Sequence, residues 1–142
     1  MSFNGVYKLT PSGDLSLIID NLTRPNGVAI SNDQKTLYVG ISDSSNQRIM
    51  EYDIIPQGVK NSRVFFDGNE LAKTNKGSFD GLKIHPSGTV FSTGPSGVLV
   101  ISPEGKHLGT IKTNERSSNC AFDSNYQYLY MTSSMYLTRI KL

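Results

Sequence analysis

Three polar residues, Asn26, Asp80 and Asn119, occupy equivalent positions in three related stretches of the chain. Each opens a short strand of small and apolar residues, after which a turn and a strand rich in β-branched or aromatic residues follow. Amide and carboxylate oxygens, without His or Cys, are typical ligands of a hard cation. The pattern therefore predicts a divalent-metal site with Ca²⁺ as the expected ion and Mg²⁺, Mn²⁺ or Zn²⁺ as alternatives.

Each of these three positions also has an ordinary structural explanation. Pro25-Asn26-Gly27 is a common turn sequence, and Asp80-Gly81 is a standard hairpin signal. Asn119 beside Cys120 is no more specific when it is considered alone. Equivalence across three repeats favours a shared site, and a simple turn at each position stays open as the alternative.

The other residues that could do chemistry are expected to have structural roles. His85 precedes Pro86 in a turn, and His107 falls on an expected outer strand. Cys120 is the only cysteine, and no neighbour in the sequence would lower its pKa, so we expect a small buried residue rather than a nucleophile. No serine lies in a Gly-x-Ser-x-Gly motif, which argues against serine-hydrolase chemistry.

The elements that must position these residues are short β-strands. Apolar residues fall in short runs or alternate with polar ones, and turn-forming residues interrupt them at intervals typical of all-β proteins. The predicted strands are Val6–Leu9, Leu15–Ile19, Gly27–Ile30, Thr36–Val39, Arg48–Ile54, Arg63–Phe66, Gly81–Ile84, Thr89–Ser92, Gly97–Ile101, His107–Ile111, Cys120–Phe122, Tyr128–Met131 and Tyr136–Leu142.

The repeats predict an all-β fold, a β-propeller with three blades in this chain. The intervals from Asn26 to Asp80 and from Asp80 to Asn119 are 54 and 39 residues, which is close to blade spacing if 67–76 is a loop insertion. The strands of small residues should lie innermost, because strands crowd near the axis. We predict a single half-propeller domain over 1–142, with an outer hairpin (5–20), two blades (26–67 and 79–112) and a partial blade (118–142).

Composition excludes several classes of protein. The 14 Lys and Arg residues are nearly balanced by 12 Asp and Glu residues, and no basic stripe indicates a nucleic-acid partner. The longest apolar runs are too short to cross a bilayer, and the N-terminal residues lack the features of a signal peptide. We therefore expect no membrane partner and a cytoplasmic location.

Five motifs follow one another along nearly the whole chain. They are Arg24-Pro25-Asn26-Gly27 with Thr36-Leu37-Tyr38-Val39, then Phe79-Asp80-Gly81-Leu82, Thr93-Gly94-Pro95 with Gly97-Val98, Asn119-Cys120-Ala121-Phe122 and Leu137-Thr138-Arg139-Ile140. In this order they resemble the second half of SMP-30/gluconolactonase/LRE-like proteins. The resemblance implies half of a six-bladed propeller that hydrolyses a sugar lactone with a divalent metal at the mouth of its channel.

The resemblance also implies roles for the three residues. Asn26 and Asp80 would bind the metal, Asp80 would also be the general base, and Asn119 would contact the substrate or a metal-bound water. The family's further acidic ligand and its substrate-orienting Arg and Asn residues come from early blades that this sequence does not contain. The alternatives are a non-catalytic scaffold that binds a small ligand and, less favoured, a protein-interaction propeller.

Association is one way to complete such a half-ring. Two copies would supply six inner strands, and a two-fold axis along the channel would close them into a six-bladed homodimer. The mouth of that ring would hold two copies each of Asn26, Asp80 and Asn119.

Overall fold

A computed structural model of the protein describes residues 4–142, which form antiparallel strands and one short helix. The elements in chain order are β1 (Val6–Leu9), β2 (Leu15–Ile19), β3 (Pro25–Ile30), β4 (Thr36–Ile41), β5 (Arg48–Ile55), β6 (Gly58–Asp67), α1 (Asn69–Thr74), β7 (Leu82–Ile84), β8 (Val90–Gly94), β9 (Gly97–Ile101), β10 (His107–Ile111), β11 (Ser117–Phe122), β12 (Tyr128–Ser133) and β13 (Tyr136–Lys141). The predicted all-β fold is confirmed.

The strands form four sheets in simple up-and-down order. Two complete sheets, β3-β4-β5-β6 and β7-β8-β9-β10, are flanked by the hairpin β1-β2 and by the three-stranded sheet β11-β12-β13. The first strands of consecutive sheets, β3, β7 and β11, lie against one another in that order. Sheets that meet along their first strands are blades around an axis, so the predicted β-propeller arrangement, with small-residue strands innermost, is confirmed.

The insertion at 67–76 is not a plain loop, because it contains the helix α1. Asp67 Oδ1 accepts hydrogen bonds from the backbone N–H and the side-chain amide of Asn69, at 3.0 and 2.7 Å, where the helix begins. The Asn75 N–H donates to the Leu71 carbonyl at 3.1 Å where it ends. A helix of six residues is too short to show an amphipathic period, so the sequence pattern could not reveal it.

Apolar side chains between the blades hold them together. Phe79 is fully buried between the first two complete blades, with its ring edge-on to that of Phe66 at a centroid distance of 6.1 Å. Similar clusters lie between the second and third blades, around Val98 and Leu129, and between the hairpin and the first complete blade, around Val39. Burying such surfaces between sheets is the main stabilising term in this fold.

The sheets at both ends of the chain are incomplete. Strand β2 leads into β3 as β6 leads into β7, so β1 and β2 take the third and fourth strand positions of a blade without its inner pair. The last sheet ends at β13, which is also a third strand. Apolar side chains are exposed at both ends, including Val28 and Ile30 at 53% and Leu137 at 74%.

Among the described residues, no helix is long and apolar enough to cross a membrane.

Candidate functional site

The three predicted site residues lie where the inner strands depart from regular pairing. On β3 the register with β4 shifts between Pro25 and Val28, around Asn26. On β11 the register with β12 shifts between Ser117 and Asn119. Before β7, the Thr93 carbonyl accepts a hydrogen bond from the Asp80 N–H, and the Thr93 N–H donates to the Gly81 carbonyl. Two residues, Asp80 and Gly81, therefore pair with the single residue Thr93, as in a bulge. Bulges of this kind redirect side chains, and here they recur at the same place in three blades.

Close backbone approach brings the three positions together. A Cβ on Gly27 would overlap the Asp80 carbonyl oxygen and lie 2.8 Å from Leu82 Cδ2, so a glycine is required at this crossing. A Cβ on Gly81 would similarly overlap the Asn119 amide. The Gly81 N–H also donates to the Ser118 carbonyl at 2.9 Å, across the blade boundary. The predicted residues therefore lie on, or just before, adjacent inner strands, at one end of the blades.

A hydrogen-bonded relay fixes the orientation of Asn26. Its Nδ2 donates to Ser42 Oγ at 2.9 Å, and Ser42 Oγ donates in turn to the Phe79 carbonyl, one residue before Asp80. Because the amide nitrogen is used in this way, Asn26 Oδ1 is left as a free acceptor among the described residues. In metalloproteins, hydrogen bonds to a metal-binding side chain hold it in the orientation that the metal requires.

Asp80 is half-buried and lines a polar cleft of about 450 Å³. Its carboxylate takes part in none of the hydrogen bonds or ion pairs of residues 4–142. The cleft is lined by residues from the β4–β5 loop, from α1 and the loop that follows it, and from the start of β11: Ser42, Ser44, Gln47, Ala72, Asn75, Lys76, Gly77, Ser78, Asp80, Arg116, Ser117 and Ser118. Asp80 thus presents an unpaired carboxylate to an open space.

Asn119 has a different arrangement from Asn26. Its Oδ1 accepts from the Cys120 N–H at 2.9 Å and from Lys83 Nζ at 3.2 Å, which leaves Nδ2 as the available group. An ammonium beside Oδ1 disfavours a cation there, whereas a free amide N–H can donate to a ligand oxygen. Neither Asn26 nor Asn119 is in the lining of the Asp80 cleft.

The donor set fits part of a hard-cation site. Asn26 Oδ1 and the Asp80 carboxylate are oxygen donors that have no hydrogen-bond or ion-pair partner in the described part of the chain. Within residues 4–142 there is no group of three or more His, Cys, Asp and Glu side chains that could hold a metal. Since Ca²⁺ takes six to eight oxygens, the remaining ligands would come from water, substrate or another polypeptide.

Sequence reasoning missed Gln47, which organises the segment before Asp80. Its side chain is only 2% exposed, and Nε2 donates to Ser78 Oγ at 3.0 Å and to the Gly77 carbonyl at 3.4 Å. Its Oε1 accepts the Phe79 N–H at 3.2 Å. No local signal identifies this residue, because its side-chain partners lie about thirty positions away in sequence.

Gln47→Leu is expected to destabilise the protein by about 2 kcal/mol, because it leaves the N–H of the buried residue Phe79 without its acceptor. The measurement is chemical denaturation followed by circular dichroism. Gln57→Leu, at an exposed turn position, is the control and should change stability little. Equal effects of the two changes would contradict this role.

The residues assigned structural roles behave as expected. Cys120 is 4% exposed, and burial raises the pKa of its thiol to about 11, so it is an inert core residue at neutral pH. His85 Nδ1 bonds Ser87 within a turn, and His107 Nε2 bonds Thr110 on β10. Neither histidine lines the Asp80 cleft.

The fold and this end of the inner strands define the class: part of a β-propeller with a polar cleft beside the ends of its inner strands. The sequence profile of the SMP-30/gluconolactonase/LRE-like region matches residues 1–135. The chain therefore belongs to the SMP-30/gluconolactonase/LRE-like family, and the resemblance seen in its motifs is confirmed.

Characterised relatives and solved structures agree with this family. The chain is 35% identical to a gluconolactonase of Zymomonas mobilis, over 99% of its own length and 41% of that protein. It superposes on a Xanthomonas campestris gluconolactonase with a TM-score of 0.88 and 30% identity, covering 99% of this chain and 45% of that one. A calcium-binding protein, regucalcin, from Agrobacterium tumefaciens shares the fold at 20% identity and a TM-score of 0.76, covering 92% of this chain and 44% of that one. The chain thus spans less than half the length of these relatives.

Proposed function

We propose that this chain is a metal-dependent hydrolase module that opens a sugar lactone. The observation that carries the proposal is the unpaired Asp80 carboxylate in a polar cleft, just before β7, which lies against the strand β3 on which Ser42 orients Asn26. The similarity to gluconolactonases, including one 35% identical, supports the same substrate class. The serine hydroxyls of the cleft suit a polyhydroxylated ligand.

Each site residue has a separate task in this proposal. Asn26 Oδ1 and one Asp80 oxygen would hold a divalent cation, with Ca²⁺ the expected ion. When bound, such a cation polarises a carbonyl as a Lewis acid. Asp80 also accepts the proton of the attacking water on its other oxygen, as a general base. Asn119 Nδ2 donates a hydrogen bond to a substrate oxygen and so orients the ring.

A non-catalytic scaffold is the second candidate, and one observation favours it. The described residues offer a single carboxylate and two amides at this mouth, and the relatives have more than half of their length outside the matched region. A site with so few anionic ligands would hold a cation weakly. Ligand binding without turnover is the behaviour expected of this alternative.

We further propose that two copies assemble to complete the ring, and the strand positions set a condition on how they do so. One copy's last sheet supplies first, second and third strands, while the partner's hairpin supplies third and fourth strands. Each seam would therefore contain two strands, β13 of one copy and β1 of the other, for the single third position of one blade. A closed ring of four-stranded blades requires either β1 or β13 to leave its sheet at each seam.

One sample tests both proposals. Light scattering is expected to give twice the 15.6 kDa mass of the chain, and lactone hydrolysis in a pH-stat should stop with a chelator and return with Ca²⁺. A cooperatively unfolding monomer that hydrolyses lactone would refute the homodimer alone. Metal-dependent ligand binding with no turnover would favour the scaffold over the enzyme.

A further inference from the structure

Two cations from different loops line the Asp80 cleft. Lys76 follows α1, and Arg116 immediately precedes β11. Both also line an adjoining cleft of about 510 Å³, to which Lys112 contributes a third cation. The two clefts therefore share one basic rim, which is continuous from Asp80 to the loop between β10 and β11.

The charge on this rim is not neutralised within the described part of the chain. Among residues 4–142, no carboxylate forms a salt bridge with Lys76, Lys112 or Arg116, whereas Arg48, Arg63 and Lys73 have carboxylate oxygens within 3.2 Å. Of the residues that the structure describes, only two acidic ones, Asp80 and Glu115, line either cleft. In the proposed function Asp80 is occupied by a cation, so the cleft that faces the substrate carries an excess of positive charge.

Cations held at the mouth of a polar cleft without a protein partner suit an anionic ligand group. We propose that the substrate is a polyhydroxylated lactone that carries a second, anionic group, a carboxylate or a phosphate, and that Lys76 and Arg116 bind this group. The inference rests on the proposed function for the lactone and adds the charge class of the substrate. Arg116 can bind either anion with two parallel N–H bonds, and Lys76 acts as a point charge.

The test compares three stable ring analogues by titration calorimetry with saturating Ca²⁺: 1,5-anhydroglucitol, its 6-phosphate and the corresponding 6-carboxylate. Both anionic analogues are expected to bind about tenfold more tightly than the neutral one, a modest gain because the rim is solvent-exposed. In the Lys76→Gln/Arg116→Gln variant this preference should disappear while affinity for the neutral analogue stays the same. A gain for the phosphate alone would identify a phosphorylated lactone, and a gain for the carboxylate alone would identify a diacid.

A matched control removes the same charge elsewhere. Lys35 and Lys106 lie in turns at the opposite end of the blades, so Lys35→Gln/Lys106→Gln should keep the full preference for anions. Equal affinities for all three analogues, or a preference that survives in the rim variant, would overturn the inference. Metal-dependent binding of the neutral analogue without any anion preference would refute the anionic substrate and leave the proposed function standing. An anion preference that is independent of Ca²⁺ would refute the proposed metal-dependent function and leave the anion site standing. Binding of none of the analogues would refute the anionic substrate and the proposed function together.

Discussion

The Asp80→Asn variant is expected to bind Ca²⁺ with at least about a hundredfold lower affinity and to show no lactone hydrolysis, with its fold unchanged. Asp80 supplies the only negative charge among the three inner-strand positions, and the affinity of Ca²⁺ sites depends strongly on the number of charged ligands. The variant also removes the proposed general base. Its stability should be unaffected because the Asp80 carboxylate has no hydrogen bond or ion pair among residues 4–142.

The measurement is Ca²⁺ titration calorimetry together with the pH-stat assay and a denaturation curve. Asp20→Asn is the matched control, since Asp20 is an exposed carboxylate outside the Asp80 cleft, and this variant should bind Ca²⁺ as the parent does. If Asp80→Asn binds Ca²⁺ with unchanged affinity, the metal site is wrongly placed. If it binds Ca²⁺ normally and only hydrolysis is lost, Asp80 is the base and not a ligand.

Gly27→Ala is expected to destabilise the protein by about 3 kcal/mol or more and to disrupt the site at the same time. The new methyl group would overlap the Asp80 carbonyl oxygen and lie 2.9 Å from the Asp80 carbonyl carbon. These are backbone atoms of the neighbouring inner strand, which cannot rotate away as a flexible side chain can. The overlap can be relieved only if the two complete blades move apart where β3 meets the start of β7.

Gly109→Ala provides the control for this change. Gly109 lies on the outer strand β10, and nothing would lie within 4 Å of a Cβ there, so stability should change by less than about 0.5 kcal/mol. Thermal unfolding by calorimetry measures both variants. Equal midpoints for Gly27→Ala and Gly109→Ala would mean that β3 and β7 are not in close contact.

The sequence was sufficient to predict the blades, because each blade is a local unit of neighbouring antiparallel strands. Strand order follows chain order in every sheet, so no long-range pairing had to be guessed. The equivalence of Asn26, Asp80 and Asn119 could also be seen in the sequence, since a side-chain amide or carboxylate precedes or opens the small-residue strand in each repeat. Predicted strand ends were less accurate: β6 begins at Gly58, five residues before the predicted start, because its polar middle continues the hairpin with β5.

The supporting contacts of the site could not be predicted in the same way. Ser42 joins Asn26 to Phe79, and Gln47 holds Phe79 from the other end of the same β4–β5 loop, with partners separated by 16 to 37 positions. These contacts exist only after the blades have packed, so no spacing in the sequence signals them. The basic rim formed by Lys76 and Arg116 has the same origin, since the two residues belong to loops of successive blades.

The two open edges at the ends of this chain are not alike. The free edge of β1 lacks an inner neighbour, and the free edge of β13 lacks an outer one. Copies that join at these two ends, with either β1 or β13 displaced from its sheet, must therefore do so head to tail. Such a contact closes after two copies only if it turns each copy by half a revolution, and any other angle, or a pitch along the axis, lets a filament grow. The angle and pitch of this contact would then decide between discrete particles and fibres.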